Sequence, residues 1–287
     1  MGIGMIGVVG AGTMGTGIAQ VAAASGFEVK VFDEFEAARQ RSIAAIQRLS
    51  ASSVAKGRST EEERAAMLAR LCYADDLGEL ADADLVVEAV TEVLDVKLEI
   101  FRRLDALLAP GAILASNTSS MSITALAAVT GRPASVAGLH FFNPAQVMKL
   151  VEIVRGYHTS DETVRALREL CGRLGKTGIE VKRDTPGFVV NRLLLPQLRE
   201  AVKILEEGVA SIEDIDTAMK LGLGHPMGPF ELQDLIGVDV CQSILDYFRA
   251  EMGDEYTPPV LMKQMVSAGM MGRKTGRGWH DYAGGGK

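Results

Sequence analysis

The chain has 287 residues, 47% of them apolar, which is enough for about two domains of roughly 150 residues with substantial cores. Its formal net charge of −7 argues against a nucleic-acid or membrane-surface partner. The three cysteines are far apart and form no CxxC pair and no Cys/His metal spacing, so we expect a reduced, cytoplasmic protein without a bound metal. No apolar run approaches the ~18 residues of a membrane span, and we expect no basic leader or cleavage site before the first predicted strand.

A glycine-rich turn follows that first predicted strand. The apolar run 6–9 leads into Gly10, Gly12 and Gly15, and residues 16–24 are predicted to form a helix. Gly10 permits a tight turn, Gly12 lets the backbone approach a pyrophosphate, and Gly15 lets the helix pack closely on the strand. The phosphates of a dinucleotide would then lie at the N–H groups of the helix N-terminus.

An acidic residue ends the second predicted strand. Asp33 follows residues 29–32 and lies 18 residues after Gly15, near the roughly 20 residues expected for the carboxylate that binds a ribose. The alternative interpretation is a phosphate-free glycine turn in another βαβ unit. The carboxylates of Asp33 and Glu34 would repel a 2′-phosphate, which favours NAD over NADP. Arg39, which we expect on a later helix turn, leaves NADP disfavoured but open.

The rest of the chain shows two kinds of periodicity. Helices are predicted at 35–56, 60–71, 95–108, 122–128 and 161–174, and strands at 84–90, 112–115, 136–139, 148–154 and 179–181, as in a doubly wound, mostly parallel α/β sheet. From Phe188 the spacing is helical throughout, with one apolar face formed by Leu194, Leu198, Val202 and Leu205. We predict an α/β domain over 1–186 and an all-α domain over 187–287, with a disordered tail at 284–287.

Two groups of charged residues are candidates for ligand contacts. Glu92 and Lys97 follow strand 84–90, an apolar run with one acid that is typical of a buried parallel strand. The carboxyl edge of such a strand is where ligands bind in a doubly wound sheet. Lys56 and Arg58 lie in the turn after an earlier helix, and are interpreted either as a solvated basic turn or as a ligand site.

Other polar residues have a structural and a functional interpretation. The run Ser-Asn-Thr-Ser-Ser at 116–120 follows strand 112–115, where it would either cap helix 122–128 or present hydroxyl groups to a substrate. Asn191 lies beside Arg192 in the first helix of the second predicted domain. It would either face a cleft or be an ordinary exposed helix residue.

The strongest candidate for acid–base chemistry is His140. It lies at the ligand edge of the predicted sheet, and Glu152 lies in the next predicted strand, where a carboxylate is costly to bury unless it is paired. If the two strands are neighbours, the carboxylate would accept one imidazole N–H and raise the basicity of the other nitrogen. The alternatives are a structural histidine and a solvated glutamate on an edge strand.

Six motifs occur in order along nearly the whole chain: GxGxMG at 10–15, SNTSS at 116–120, HFFNP at 140–144, MKLVE at 148–152, DTPGFVVNR at 184–192 and GHPMGPFEL at 224–232. On these motifs the sequence resembles the 3-hydroxyacyl-CoA dehydrogenases, particularly the bacterial 3-hydroxybutyryl-CoA dehydrogenases. The resemblance implies a Rossmann-type NAD-binding domain, and an all-α domain that closes the substrate cleft and forms a homodimer. It also implies NAD-dependent oxidation of a short-chain (S)-3-hydroxyacyl-CoA to the 3-ketoacyl-CoA, and the reverse, in lipid metabolism.

The resemblance assigns roles to the matching residues. His140 would be the catalytic base and Glu152 its orienting partner. The other residues that would contact the substrate, through the reacting oxygen, the thioester or the CoA phosphates, are Ser119, Asn191, Asn143 and Lys56. Those that would contact the cofactor are Gly10, Gly12, Thr13, Met14, Gly15 and Asn117, with Asp33 on the adenosine ribose and Glu92 and Lys97 on the nicotinamide ribose.

Two other functions fit the residues as well. One is an NAD-dependent dehydrogenase of a hydroxy acid that is not attached to CoA, which would keep the NAD motif and the histidine. The other is a non-catalytic NAD-binding protein, which usually lacks the base or its partner. The chain also departs from the family at 279–282, where Trp-His-Asp-Tyr stands in place of a more usual Phe-Tyr.

Overall fold

The computed structural model describes residues 2–283, and the chain divides into two compact units between Thr185 and Pro186. The tail at 284–287, which we predicted to be disordered, lies outside the described residues. None of the described helices is both long enough and apolar enough to cross a membrane.

The first unit is built on one eight-stranded sheet. In chain order its strands are β1 (Met5–Val9), β2 (Glu28–Phe32), β3 (Leu71–Ala74), β4 (Leu85–Glu88), β5 (Ile113–Ser116), β6 (Val136–Phe141), β7 (Leu150–Arg155) and β8 (Thr177–Val181). The spatial order is β3-β2-β1-β4-β5-β6-β7-β8, and every neighbouring pair is parallel except β6 and β7. The predicted doubly wound, mostly parallel sheet is confirmed. Its strand order reverses between β1 and β4, at the point where such sheets bind ligands.

Six helices connect these strands. They are α1 (Thr13–Ala24), α2 (Glu36–Ala55), α3 (Glu61–Ala69), α4 (Leu94–Leu107), α5 (Ile123–Ala127) and α6 (Asp161–Arg173). A capping box starts α3, where Thr60 and Glu63 satisfy each other's backbone N–H groups. The predicted extension of that helix to Leu71 is wrong, because the chain turns at Arg70 and Leu71 begins β3. We missed β3 because it has only four residues and Leu71 continues the helical spacing.

The core of the first unit explains why apolar runs mark its central strands. Val8, Val87 and Leu139 are at most 1% exposed and belong to one cluster with Ile18 and Ala19 of α1. A strand covered on both faces has no solvent-exposed side, so its sequence is continuously apolar instead of alternating. A charged residue inside such a strand is therefore a signal in its own right.

The second unit is helical, as predicted. Its helices are α7 (Val190–Glu206), α8 (Ile212–Leu223), α9 (Pro229–Ile236), α10 (Val238–Met252) and α11 (Val260–Ser267). The predicted apolar face of α7 packs inward, with Leu198 and Val202 fully buried against a cluster that includes Phe230 and Phe248. Burial of apolar side chains at about 25 cal/mol per Å² is the main term that holds such a bundle together.

Two buried aspartates hold the end of the chain to this bundle. Asp234 accepts hydrogen bonds from the backbone N–H groups of Trp279 and His280, both at 2.9 Å. Asp216 accepts from the N–H of Phe230 at 2.8 Å, and its other oxygen lies 2.8 Å from Nε2 of His280. The histidine that departs from the family pattern therefore pairs with a buried carboxylate inside the second unit.

Candidate active site

The glycine turn after β1 leaves no room for side chains at two of its three glycines. Gly10 has φ +105°, and a Cβ there would lie 2.6 Å from the carbonyl oxygen of Ala89. A Cβ at Gly15 would lie 1.8 Å from the carbonyl oxygen of Gly10. The tight turn and the close approach of α1 to the strand therefore both require glycine, for the reasons that the sequence indicated.

Gly12 is different, because no neighbouring protein atom requires a glycine at this position. A Cβ there would meet nothing within 4 Å. Gly12 precedes Thr13, the first residue of α1, and provides no side-chain cap for that helix. The N–H groups of Thr13, Met14 and Gly15 are in the first turn, where a helix has no intrahelical acceptor for them. A position that only a ligand would crowd, at the N-terminus of a helix, fits the pyrophosphate of a dinucleotide.

Asp33 ties the end of β2 to this turn. Its Oδ2 accepts the N–H of Ala11 at 2.7 Å, and its Oδ1 accepts the N–H of Phe35 at 3.0 Å. Arg39 is the fourth residue of α2, near the start of that helix. Its guanidinium donates to the carbonyl oxygen of Asp33 at 2.6 Å and to Oδ1 of Asp75 at 2.7 Å. This cation beside Asp33 is thus already paired.

A buried ion cluster lies where β4 ends. Glu88 is 0% exposed and accepts hydrogen bonds from Nζ of Lys97 at 2.7 Å, Oγ of Ser116 at 2.6 Å and the N–H of Val90 at 2.8 Å. Lys97 is 1% exposed and lies 3.0 Å from the second carboxylate, that of Glu92. The sequence indicated Glu92 and Lys97, but we gave Glu88 no role. The sequence feature that could have indicated Glu88 is that it is the only acidic residue in an apolar strand.

Glu92 in turn holds the loop after β5. Its carboxylate accepts the hydroxyl of Thr118, the N–H of Ser119 at 3.1 Å and the hydroxyl of Ser120 at 3.4 Å. Burial acts to raise the pKa of Glu92, but the charge of Lys97 and these hydrogen bonds outweigh it, so the pKa is lowered. A carboxylate with a lowered pKa stays ionised, and remains a strong acceptor, at neutral pH.

The run 116–120 is not the cap of the following helix. Ser122 has that role, because its hydroxyl accepts the N–H of Ala125 at the start of α5. The carbonyl oxygen of the Asn117 side chain accepts the N–H of Phe141 at 2.9 Å and so links this loop to β6. Ser119 lies half-buried in the loop.

His140 and Glu152 face each other across β6 and β7. They are directly opposite in the antiparallel register, and Nδ1 of His140 lies 2.7 Å from Oε2 of Glu152. His140 is 5% exposed and Glu152 is fully buried. The sequence predicted this contact on the condition that the two strands are neighbours, and β6 and β7 are neighbours in the sheet. Directly opposed residues have Cβ atoms about 5 Å apart on the same face of the sheet, which lets a histidine and a glutamate meet.

Three further predicted site residues take no part in the contacts described so far. Asn143 is exposed just after β6. Lys56 is exposed at the C-terminus of α2. That helix has 20 residues and begins near Asp33, so it carries Lys56 about 30 Å away along its axis. Asn191 lies in the first turn of α7, in the second unit. Within residues 2–283, no group of three or more His, Cys, Asp or Glu side chains could hold a metal ion.

Family models match both units. The model described as the NAD binding domain of 3-hydroxyacyl-CoA dehydrogenase matches residues 5–185, and the model described as the C-terminal domain of that enzyme matches residues 187–282. The chain belongs to the 3-hydroxyacyl-CoA dehydrogenase family. This dehydrogenase is accordingly an NAD-dependent oxidoreductase, and the glycine turn with Asp33 lies within the matched NAD-binding region.

Individual members of this family match the chain over nearly its full length. A protein from Bradyrhizobium diazoefficiens named 3-hydroxybutyryl-CoA dehydrogenase is 49% identical over 281 residues, which cover 97% of this chain and 95% of the relative. The crystal structure of (S)-3-hydroxybutyryl-CoA dehydrogenase PaaH1 from Ralstonia eutropha has a TM-score of 0.94 and 46% identity, and the match covers 98% of this chain and 99% of that one. The dehydrogenase thus shares its fold with the Ralstonia eutropha protein over nearly the whole of both chains.

Proposed function

We propose that this dehydrogenase interconverts a short-chain (S)-3-hydroxyacyl-CoA, 3-hydroxybutyryl-CoA in the first instance, and the corresponding 3-ketoacyl-CoA, with His140 as the acid–base group and Glu152 as its orienting partner. The observation that carries the proposal is the buried His140–Glu152 contact at 2.7 Å. The substrate and its configuration are supported by the names of the relatives from Bradyrhizobium diazoefficiens and Ralstonia eutropha.

The proposed chemistry divides between the protein and its cofactor. Oxidation of a secondary alcohol removes a hydride from carbon and a proton from oxygen; NAD, when bound, supplies the hydride acceptor. The buried carboxylate of Glu152 accepts the Nδ1–H of His140, which puts the basic lone pair on Nε2. Nε2 then takes the hydroxyl proton, and Glu152 stabilises the resulting imidazolium. In reduction the same imidazolium returns the proton to the oxygen of the 3-keto group.

The remaining site residues have binding roles in this proposal. Ser119 donates its hydroxyl to the reacting oxygen, Asn191 and Asn143 bind the thioester side of the substrate, and Lys56 binds a CoA phosphate. The 2′- and 3′-hydroxyls of the adenosine ribose bind Asp33. Glu92 has 40% of its side chain exposed and contacts the nicotinamide ribose, whereas Lys97, at 1% exposed, acts by orienting Glu92. Asn117 contacts the cofactor, and its hydrogen bond from the N–H of Phe141 fixes the loop that carries Ser119.

We also propose a cytoplasmic homodimer formed through the second unit, residues 187–287. Support comes from large apolar side chains on its surface, of which Leu193, Val209 and Leu221 are 73%, 69% and 83% exposed. Single exposed apolar residues are ordinary, but several on one small unit indicate a surface that another protein covers.

The test is a steady-state assay with acetoacetyl-CoA that follows the oxidation of NADH, and then of NADPH, at 340 nm. We expect efficient turnover with NADH and much poorer turnover with NADPH. Acetoacetate and free hydroxy acids serve as controls that lack CoA. Turnover of the free acids without turnover of acetoacetyl-CoA would contradict the thioester substrate and support a dehydrogenase of non-CoA hydroxy acids.

A further inference from the structure

Glu88 is a charged group that the proposed reaction does not use. It occupies the last position of β4 and is completely enclosed, yet its carboxylate receives three hydrogen bonds, from a lysine, a serine and a backbone N–H. An enclosed carboxylate is tolerated only when it is paired and hydrogen-bonded. An apolar residue would fill the same position in a parallel strand without needing any partner. Glu88 therefore requires an explanation beyond the packing of β4.

Two hydrogen-bonded routes lead from Glu88 to the same loop. In the first, the hydroxyl of Ser116 donates to Oε2 of Glu88, and Oγ of Ser116 accepts the N–H of Thr118 at 3.1 Å. In the second, Lys97 bridges Oε1 of Glu88 and the carboxylate of Glu92. Glu92 then accepts the hydroxyl of Thr118 and the N–H of Ser119. Both routes end at residues 118–119.

We propose that Glu88 is a positioning residue that fixes Ser119 for the reacting oxygen; this inference rests on the function proposed above. Hydrogen bonds with an ionised partner are shorter and about twice as strong as neutral ones. The two routes restrain the Ser119 backbone from β4 and from the start of α4, both regular elements. Glu88 touches neither substrate nor cofactor in this arrangement and acts only through Lys97, Glu92 and Ser116.

The Glu88→Gln variant tests the positioning role while preserving shape. Its amide oxygen can still accept from Ser116 or Lys97, but the negative charge is lost, so Lys97 keeps Glu92 as its only anionic partner among these residues. Because misplacement of a reacting group by about 1 Å can cost up to about 10²-fold in rate, we expect kcat with saturating acetoacetyl-CoA to fall by about tenfold or more. The Kd for NADH, measured by fluorescence titration, should rise by a smaller factor than kcat falls, because Glu92 keeps its hydrogen bonds from Thr118 and Ser119.

A double-mutant cycle with Ser119→Ala separates positioning from a general loss of stability. If Glu88 acts through Ser119, the Glu88→Gln change should lower kcat by less than about twofold in the Ser119→Ala background, because coupled residues are not additive. Asp105→Asn is the matched control in the same unit. Asp105 holds the N–H of Gly131 and the side chain of Arg132, before β6 begins and so at the opposite edge of the sheet. Its effect on kcat should be small and the same in both backgrounds.

Hydrogen–deuterium exchange supplies a readout that needs no substrate. We expect the Glu88→Gln variant to exchange the amides of residues 117–121 faster than the parent, with little change in β1 and β6. Unchanged exchange in this loop, or a Glu88→Gln effect on kcat that multiplies fully with that of Ser119→Ala, would overturn the positioning role. A parent protein that does not turn over acetoacetyl-CoA would instead overturn the proposed function, and the exchange rates would still decide whether Glu88 braces the loop.

Discussion

His140 and Glu152 are twelve residues apart in the chain, and their side chains meet because an antiparallel register places them directly opposite each other. Neither residue could be exchanged for a neighbour in its strand, since adjacent positions point to the other face of the sheet. Both side chains are buried, so the interior protects this contact from water. At the residue scale, the chemistry therefore depends on one pair of strand positions.

Replacement of His140 by alanine tests this dependence directly. General acid–base catalysis contributes about 10²–10⁴-fold, so we expect the kcat of His140→Ala with acetoacetyl-CoA to fall by that factor. His158→Ala is the matched control, because His158 is exposed in the loop after β7. An unchanged kcat for His140→Ala, or equal losses in the two variants, would remove His140 from the mechanism.

The choice of cofactor is a second property of single residues. A carboxylate about 4 Å from a 2′-phosphate costs about 1 to 4 kcal/mol, depending on the local dielectric. The double variant Asp33→Asn/Asp75→Asn keeps the acceptor for the N–H of Ala11, removes the repulsion and replaces the charged partner of Arg39 at position 75 with a neutral one. We expect the ratio of kcat/KM for NADH to that for NADPH to fall at least about fivefold. Addition of Arg39→Ala should reverse part of this gain, and a ratio that does not move would show that these charges do not select NAD.

At the scale of elements, the glycine turn combines two requirements that have different origins. The packing of α1 against β1 requires Gly15, since a Cβ would overlap the carbonyl oxygen of Gly10. No contact within the protein requires Gly12. The same short segment therefore carries one constraint from the fold and one that we attribute to the cofactor.

The variants Gly12→Ala and Gly15→Ala should separate these constraints. Overpacking costs about 1–3 kcal/mol, so we expect Gly15→Ala to lower Tm by several degrees and to weaken NADH binding as well. Gly12→Ala should leave Tm within about one degree, yet raise the Kd for NADH at least about tenfold, because its methyl group would occupy the pyrophosphate position. Calorimetry and fluorescence titration provide the two measurements. Normal NADH binding by Gly12→Ala would contradict the assignment of the turn.

The sequence predicted most elements of the first unit because their signals are local. Long helices such as α2 and α6 show helical periodicity, and the central strands are continuous apolar runs. The contact between His140 and Glu152 could be stated only as a condition, since strand neighbours are set by the whole sheet. Strand β3 was missed because an edge strand of four residues has almost no pattern of its own. Glu88 was visible as an acid in a buried strand, but its partners come from three separate segments.

At the scale of the whole molecule, the division between Thr185 and Pro186 gives two units with separate cores. The single tryptophan of the chain, Trp279, packs on Phe230 of α9 with ring centroids 4.9 Å apart. Its fluorescence therefore reports on the core of the second unit, and so makes the unfolding of that core measurable in the intact protein.

This reporter tests the acid sensitivity of the second unit. Hydrogen bonds from Lys220 and from the N–H of Gly228 lower the pKa of Glu231 below its ordinary value of 4.5. A lowered pKa contributes stability that is complete above the unfolded value and is lost as the pH falls through the folded value. Glu231→Gln should therefore lower the urea midpoint of Trp279 fluorescence at about pH 7, and should lower it less at about pH 3. Glu251→Gln, at an exposed position of α10, is the control. A loss that is equal at both pH values would rule out this ionised contact.

The reversal of chain direction between β6 and β7 also determines which kinds of genetic change the enzyme can tolerate. The connection at 142–149 can gain or lose residues without altering which strand positions face each other, provided that the ends of both strands stay in place. A single codon inserted between Leu150 and Glu152 would instead turn the carboxylate to the opposite side of the sheet, although every original amino acid would still be present. In-frame insertions are therefore more damaging over these three codons than in the connection that precedes them.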